Sequence, residues 1–142
     1  MIKNDEILSD KFKELARKVY CYFDNLKIGD VQAKAMQHMN VGYPYVEYTN
    51  QMLRLVFYYS PEEVDREEQL HVTNIFFDNK IRHKGYFSGL MEVLKKWREE
   101  NSEVSILFEQ VVSPNLKEIL VNKYDGAIAC DDGRGCFIFA FQ

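Results

Sequence analysis

The chain has little with which to build a disulfide framework. It carries three cysteines, Cys21, Cys130 and Cys136, an odd number with no Cys-x-x-Cys pair. The same scarcity argues against a zinc site. Its three histidines, His38, His71 and His83, are too dispersed to suggest ligation, so no metal is expected. No apolar run approaches the roughly 18–20 residues of a membrane span, and no membrane partner is expected. Charge of one sign is also scarce. A net −4 over 142 residues gives the whole chain no long-range attraction to nucleic acid. The opening MIKNDEILSDKFKEL mixes charges with apolar residues and does not read as a signal peptide. Internal repeats, linkers and low-complexity tracts are missing. Cysteines of this kind suit a reducing compartment, and a cytoplasmic location is the expectation.

What is present suits a folded domain. Hydrophobic residues make up 46% and aromatics 14% of the chain, enough for a core in a single domain spanning 1–142. Ile7, Leu8, Phe12, Leu15, Val19 and Tyr22 recur at three- and four-residue steps, which predicts an amphipathic helix over Lys3–Asp24. A second helix is expected over Asp30–Met39, capped by Asp30. Pro44–Thr49 and Met52–Tyr59 read as two strands of an antiparallel hairpin. Glu62–Glu68 then sets five acids against Arg66. It reads as a solvated connection or as an acidic lip that attracts amines.

The run Leu70–Trp97 organises the rest. Leu70–Phe77 is apolar and β-branched like a buried strand, and Leu90, Met91, Val93, Leu94 and Trp97 stand at helical spacing. The basic loop Lys80–Gly85 joins them. A strand, a glycine-bearing loop and a helix N-terminus collect free backbone N–H groups at one point, a ready site for a phosphate-bearing ligand. A second strand is expected over Glu103–Glu109, parallel to the first across the helical crossover. Ser113-Pro114 opens a further helix to about Tyr124. Ala127–Cys130 and Cys136–Phe141 read as a closing hairpin, with both of its cysteines buried as small apolar residues.

Arg82-His83-Lys84-Gly85-Tyr86-Phe87 resembles the acyl-CoA loop of the GNAT-type N-acyltransferases, whose pattern is Arg/Gln-x-x-Gly-x-Gly/Ala. Phe87 takes the place of the last small residue. The resemblance covers about half of the chain, from Leu70 onward. It implies an α/β (α+β) fold with a mixed, mostly antiparallel central sheet, two splayed parallel strands and flanking helices. It also implies acetyl-CoA as substrate and a primary amine as acceptor, with direct transfer between them.

The implied donor-binding residues are the backbone of Ile75, Phe76 and Phe77 for the pantetheine arm. His83, Gly85, Tyr86, Phe87 and Ser88 would cradle the pyrophosphate, with charge from Arg82 and Lys84, and Asn115 retains the family's asparagine one position short. Two residues compete as proton acceptor: His71, through its near-neutral titration, and Glu109, at the end of the second splayed strand. Family members place a thiolate-protonating tyrosine in Leu-Tyr-x-Lys-x-Gly-Phe. Here Val121 stands in that register, and Tyr124, one turn later, is the substitute candidate.

Three functions remain open on these residues. The first is an acetyl-CoA-dependent N-acetyltransferase acting on a small molecule or a protein. The second is a GNAT-like binding or structural module without chemistry, and a homodimer is an assembly that either would allow. The third and thinnest is a nucleic-acid binder built on Lys80, Arg82, His83 and Lys84 with Tyr86 and Phe87.

Overall fold

A computed structural model describes residues 1–37 and 42–142 of the protein. Its strands are β1 (Ile2–Lys3), β2 (Gln32–Gln37), β3 (Pro44–Thr49), β4 (Leu53–Ser60), β5 (Gln69–Phe77), β6 (Ser105–Val111), β7 (Ala127–Asp131) and β8 (Cys136–Ala140). They form an eight-stranded sheet in the order β1-β2-β3-β4-β5-β6-β8-β7. Among the described residues only β1–β2 and β5–β6 pair in parallel. The helices are α1 (Asp10–Asn25), α2 (Tyr86–Glu100) and α3 (Pro114–Lys123). This is the mostly antiparallel mixed sheet with flanking helices that the sequence implied.

Two expectations need correction. The first helix starts at Asp10, where the Ser9 hydroxyl accepts the Phe12 N–H, and Ile2–Lys3 belongs to the sheet. The segment expected as a second helix is β2 over Gln32–Gln37, and the rest of that expectation, residues 38–41 with His38, lies outside the described residues. Alanine, glutamine, lysine and methionine all favour helices. Here Ala33 and Ala35 are buried while Gln32 and Lys34 are exposed, a period of two that the sheet imposes over local preference.

The helices cover one face of the sheet. Phe12, Leu15, Ala16, Val19 and Phe23 of α1 are buried. Phe12 packs on Phe57 and Tyr59 at ring separations of 6.0 and 5.9 Å, and the Tyr48 hydroxyl donates to the Ala16 carbonyl at 2.6 Å. Leu90, Met91, Leu94 and Trp97 bury α2 beside α1. The two helices touch at Gly89, where a Cβ would sit 2.1 Å from the Tyr22 hydroxyl. A row of directly opposed residues lies on the other face. Met36, Tyr45, Tyr58, His71, Leu107, Phe139 and Ala127 follow one another in register from β2 to β7. Alternation along β5 thus sends Leu70 and Val72 to the helices and His71 the other way.

Candidate active site

β5 and β6 begin as neighbours and then part. Their pairing runs from Gln69–Ser105 to Val72–Phe108 and stops. Each strand carries an irregularity at the parting point. On β5, Thr73 is an extra residue against β4, between the pairs Phe57–Val72 and Val56–Asn74. On β6, Glu109 and Gln110 face a single residue of β8. Bulges bend a strand and re-aim its side chains. This one holds Gln110 at φ 54°, and Gly135 makes room for it: a Cβ there would lie 2.7 Å from the Gln110 Cα. The result is a cleft of about 240 Å³ lined by Val72–Ile75 of β5, Phe108–Val111 of β6 and Leu116 of α3. Beyond Val72 the ladder groups of β5 on that side do not meet β6, so they are open to an extended ligand.

Glu109 lies at this parting and is held by two donors. His71 Nδ1 lies 2.5 Å from Glu109 Oε1, and the Tyr58 hydroxyl donates to the same oxygen at 2.8 Å. Among the described residues nothing bonds Oε2. A carboxylate only accepts, so the imidazole proton sits on Nδ1. Burial opposes ionisation of Glu109, but the hydrogen bonds from His71 and Tyr58 outweigh it and hold the carboxyl below its ordinary value. Burial, then the Glu109 carboxylate, push the Tyr58 phenol far above its ordinary value, so it stays a donor. Tyr58 also stacks flat on His71, with ring centres 4.2 Å apart and planes within 5°. Ser60 Oγ lies 3.0 Å from His71 Nε2.

The two residues that competed as proton acceptor are therefore one unit. Tyr58 and Ser60 complete it, and neither carries a signal in the linear chain: the β4–β5 register sets Tyr58 opposite His71 and Ser60 opposite Gln69, two residues before it. Tyr124 is not in this group. It is 8% exposed, packed against Phe87 and Phe141 at 6.2 and 5.9 Å, and it does not line the cleft.

The basic loop leads into α2 as expected. A short 3-10 turn, Asn79–Ile81, is capped by Asp78, whose side chain accepts the Lys80 N–H. Arg82 turns back, its Nε donating to the Phe77 carbonyl at 2.7 Å. His83 at φ 63° and Gly85 at φ 80° reverse the chain, and Gly85 caps α2 without a side-chain acceptor. The first-turn N–H groups of Tyr86, Phe87 and Ser88 therefore face outward with the positive end of the helix dipole. Nothing lies within 4 Å of a Cβ placed on Gly85. Lys84 is exposed beside it, and Lys123 of α3 reaches the Ser88 hydroxyl at 3.1 Å. Phe87 points inward onto Tyr124 rather than toward this opening. Ile75 lines the cleft, Phe76 is 46% exposed, Phe77 is half-buried, and Asn115 is exposed on the first turn of α3.

The remaining expectations place as follows. Cys136 is buried but Cys130 is exposed, because all of β7 is an exposed edge strand. Glu63 pairs with Arg66 at 2.7 Å and Glu68 with Lys11 at 2.8 Å, so the acidic segment is partly neutralised. Among the described residues no cluster of three metal-ligating side chains occurs, and no helix is long and apolar enough to cross a membrane.

No protein-family model matches the chain, and no curated protein matches its sequence. Solved structures do resemble it. Naa50 of Arabidopsis thaliana, in complex with a bisubstrate analogue, is 12% identical with a TM-score of 0.49, over 67% of this chain and 70% of that one. A ribosomal-protein-alanine N-acetyltransferase from Brucella melitensis is 19% identical with a TM-score of 0.46, over 68% and 72%. The AtaT toxin bound to the C-terminus of the antitoxin AtaR is 8% identical with a TM-score of 0.49, over 80% and 93%.

Proposed function

We propose that the protein is an N-acyltransferase of the GNAT type, moving an acetyl group from acetyl-CoA directly to a primary amine of a small molecule or protein. The observation that carries this reading is the gap between β5 and β6, with the free oxygen of Glu109 at the point where it opens. The open backbone edge of Thr73–Phe77 would pair with the pantetheine arm. The first-turn N–H groups of α2 would take the pyrophosphate, with Lys84 and Lys123 adding charge. The thioester carbonyl then lies where the strands part.

There the amine nitrogen attacks the carbonyl carbon. Glu109 Oε2 takes its proton, the C–N bond forms, and the C–S bond breaks with the thiolate protonated from water. His71 and Tyr58 act on Glu109 rather than on the substrate: both bind Oε1, fix the carboxylate, and leave Oε2 as its basic oxygen. No cysteine is among the described residues lining the cleft, which supports direct transfer over a thioester formed on the protein. A cytoplasmic location accords with the unpaired cysteines.

The test is a thiol-release assay with acetyl-CoA against a panel of amines and peptides. Glu109→Gln should lower turnover by roughly 10²–10⁴-fold, the range for loss of a general base, with acetyl-CoA affinity retained. Equal turnover by the variant would remove Glu109 from the chemistry. The packing of Tyr124 away from the cleft favours one rival, a donor-binding module without turnover. Acetyl-CoA binding with no product from any acceptor would select it.

A further inference from the structure

Ser60, His71 and Glu109 stand in line: Ser60 Oγ is 3.0 Å from His71 Nε2, and His71 Nδ1 is 2.5 Å from Glu109 Oε1. The order is that of a nucleophile, base and acid, but Ser60 is only 2% exposed and does not line the cleft. Its hydroxyl is turned to the imidazole rather than to the cleft.

We infer that Ser60 is a positioning residue, fixing the ring and tautomer of His71 so that the imidazole keeps its N–H on Glu109 Oε1 and leaves Oε2 free. This inference rests on Glu109 being the base of the proposed reaction. The Glu109 carboxylate calls for a proton on Nδ1, and neutral imidazole then presents a lone pair at Nε2. A buried lone pair without a donor is costly, and His71 is only 6% exposed. The Ser60 hydroxyl meets that need by donating to Nε2.

A hydroxyl also accepts. When the ring is doubly protonated, Ser60 Oγ can accept a hydrogen bond from Nε2–H and turn its own hydrogen to the Gln69 carbonyl, 3.5 Å away. With a partner on each ring nitrogen and Tyr58 stacked on one face, a ring flip would break two hydrogen bonds at once. Alanine at this position leaves one bond, and the orientation of the N–H toward Oε1 is no longer unique.

The experiment uses the full chain with ¹⁵N-labelled histidine and compares wild type, Ser60→Ala and Ser60→Thr. Nitrogen-detected spectra should show His71 of the wild type as a single Nδ1–H tautomer. Ser60→Ala should broaden or split those signals, and Ser60→Thr, which keeps the hydroxyl, should restore them. In the transfer assay Ser60→Ala should lower kcat roughly tenfold, about the worth of one hydrogen bond, with KM for acetyl-CoA unchanged and Ser60→Thr near wild type. His71 signals unaltered by alanine in a folded variant would overturn the inference, as would an acetyl group found on Ser60 by mass spectrometry after incubation with acetyl-CoA. The spectra need no turnover, so a chain without transferase activity would count against the proposed function while the tautomer result still decides the role of Ser60.

Discussion

The two faces of this sheet are made by the same strands and behave as different materials. On β5, Leu70 and Val72 enter a core closed by α1 and α2, where the contacts are mostly aromatic and aliphatic. Between them His71 joins Tyr58, Ser60 and Glu109 in a network of directional bonds. The helix-covered face holds the protein together by area removed from water, and it tolerates exchange of one apolar shape for another. The network contributes little area but fixes one oxygen in one orientation. Stability and the proposed chemistry are thus separated by a single residue step along one strand.

Neighbouring substitutions put that separation to the test. Leu70→Ala should cost about 2–5 kcal/mol of unfolding free energy, as a core deletion of this size does, while Glu109→Gln should leave the melting temperature close to wild type and abolish most turnover. Denaturant curves on both variants check this, and a Glu109→Gln protein as unstable as Leu70→Ala would erase the distinction. Gly135→Ala should affect both faces. The added Cβ would press on the Gln110 backbone, and φ of 125° suits glycine alone. A loss of about 1–3 kcal/mol is expected, with turnover falling further than stability accounts for because the bulge carries Glu109.

Tyr58→Phe removes one of the two donors on Oε1 and should lower kcat roughly tenfold with KM for acetyl-CoA unchanged. Unaltered kcat would leave His71 as the sole support of the carboxylate. The smallest effect concerns pH. Glu109 is held below its ordinary value of 4.5, so its ionised form adds stability above that pH and the gain disappears as pH falls through the lower, folded-state value. Relative to Glu109→Gln, the wild type should therefore lose stability on acidification in that window. Parallel curves for the two proteins would show that the carboxylate is not linked to folding.

How much of this was legible in the chain varies by element, for physical reasons. The strand, basic loop and helix of Leu70–Trp97 could be read directly because β-branched density, a glycine and helical periodicity are local signals. The closing hairpin and the Ser113-Pro114 helix start were equally local. β2 was not legible: its residues favour helices one by one, and only burial of Ala33 and Ala35 against the core makes them a strand. At the site, His71 and Glu109 could be named but not joined, since 38 positions separate them. Tyr58 and Ser60 carried no signal at all. Their roles come from the register of β4 on β5 and from the two bulges, features set by pairing between distant segments.

Under the proposed function, the opening between β5 and β6 and the start of α2 receive an acyl-CoA. The decisive experiment is calorimetric titration with acetyl-CoA, run on wild type, Gly85→Asp and Gly85→Asn. Both side chains are tolerated in the left-handed region and there is room for either, but only aspartate sets a negative charge where the pyrophosphate would lie. Wild type should bind at micromolar concentration, Gly85→Asn more weakly and Gly85→Asp not at all, all three proteins being folded. A folded wild type that takes up no acetyl-CoA at millimolar concentration would contradict the proposed function.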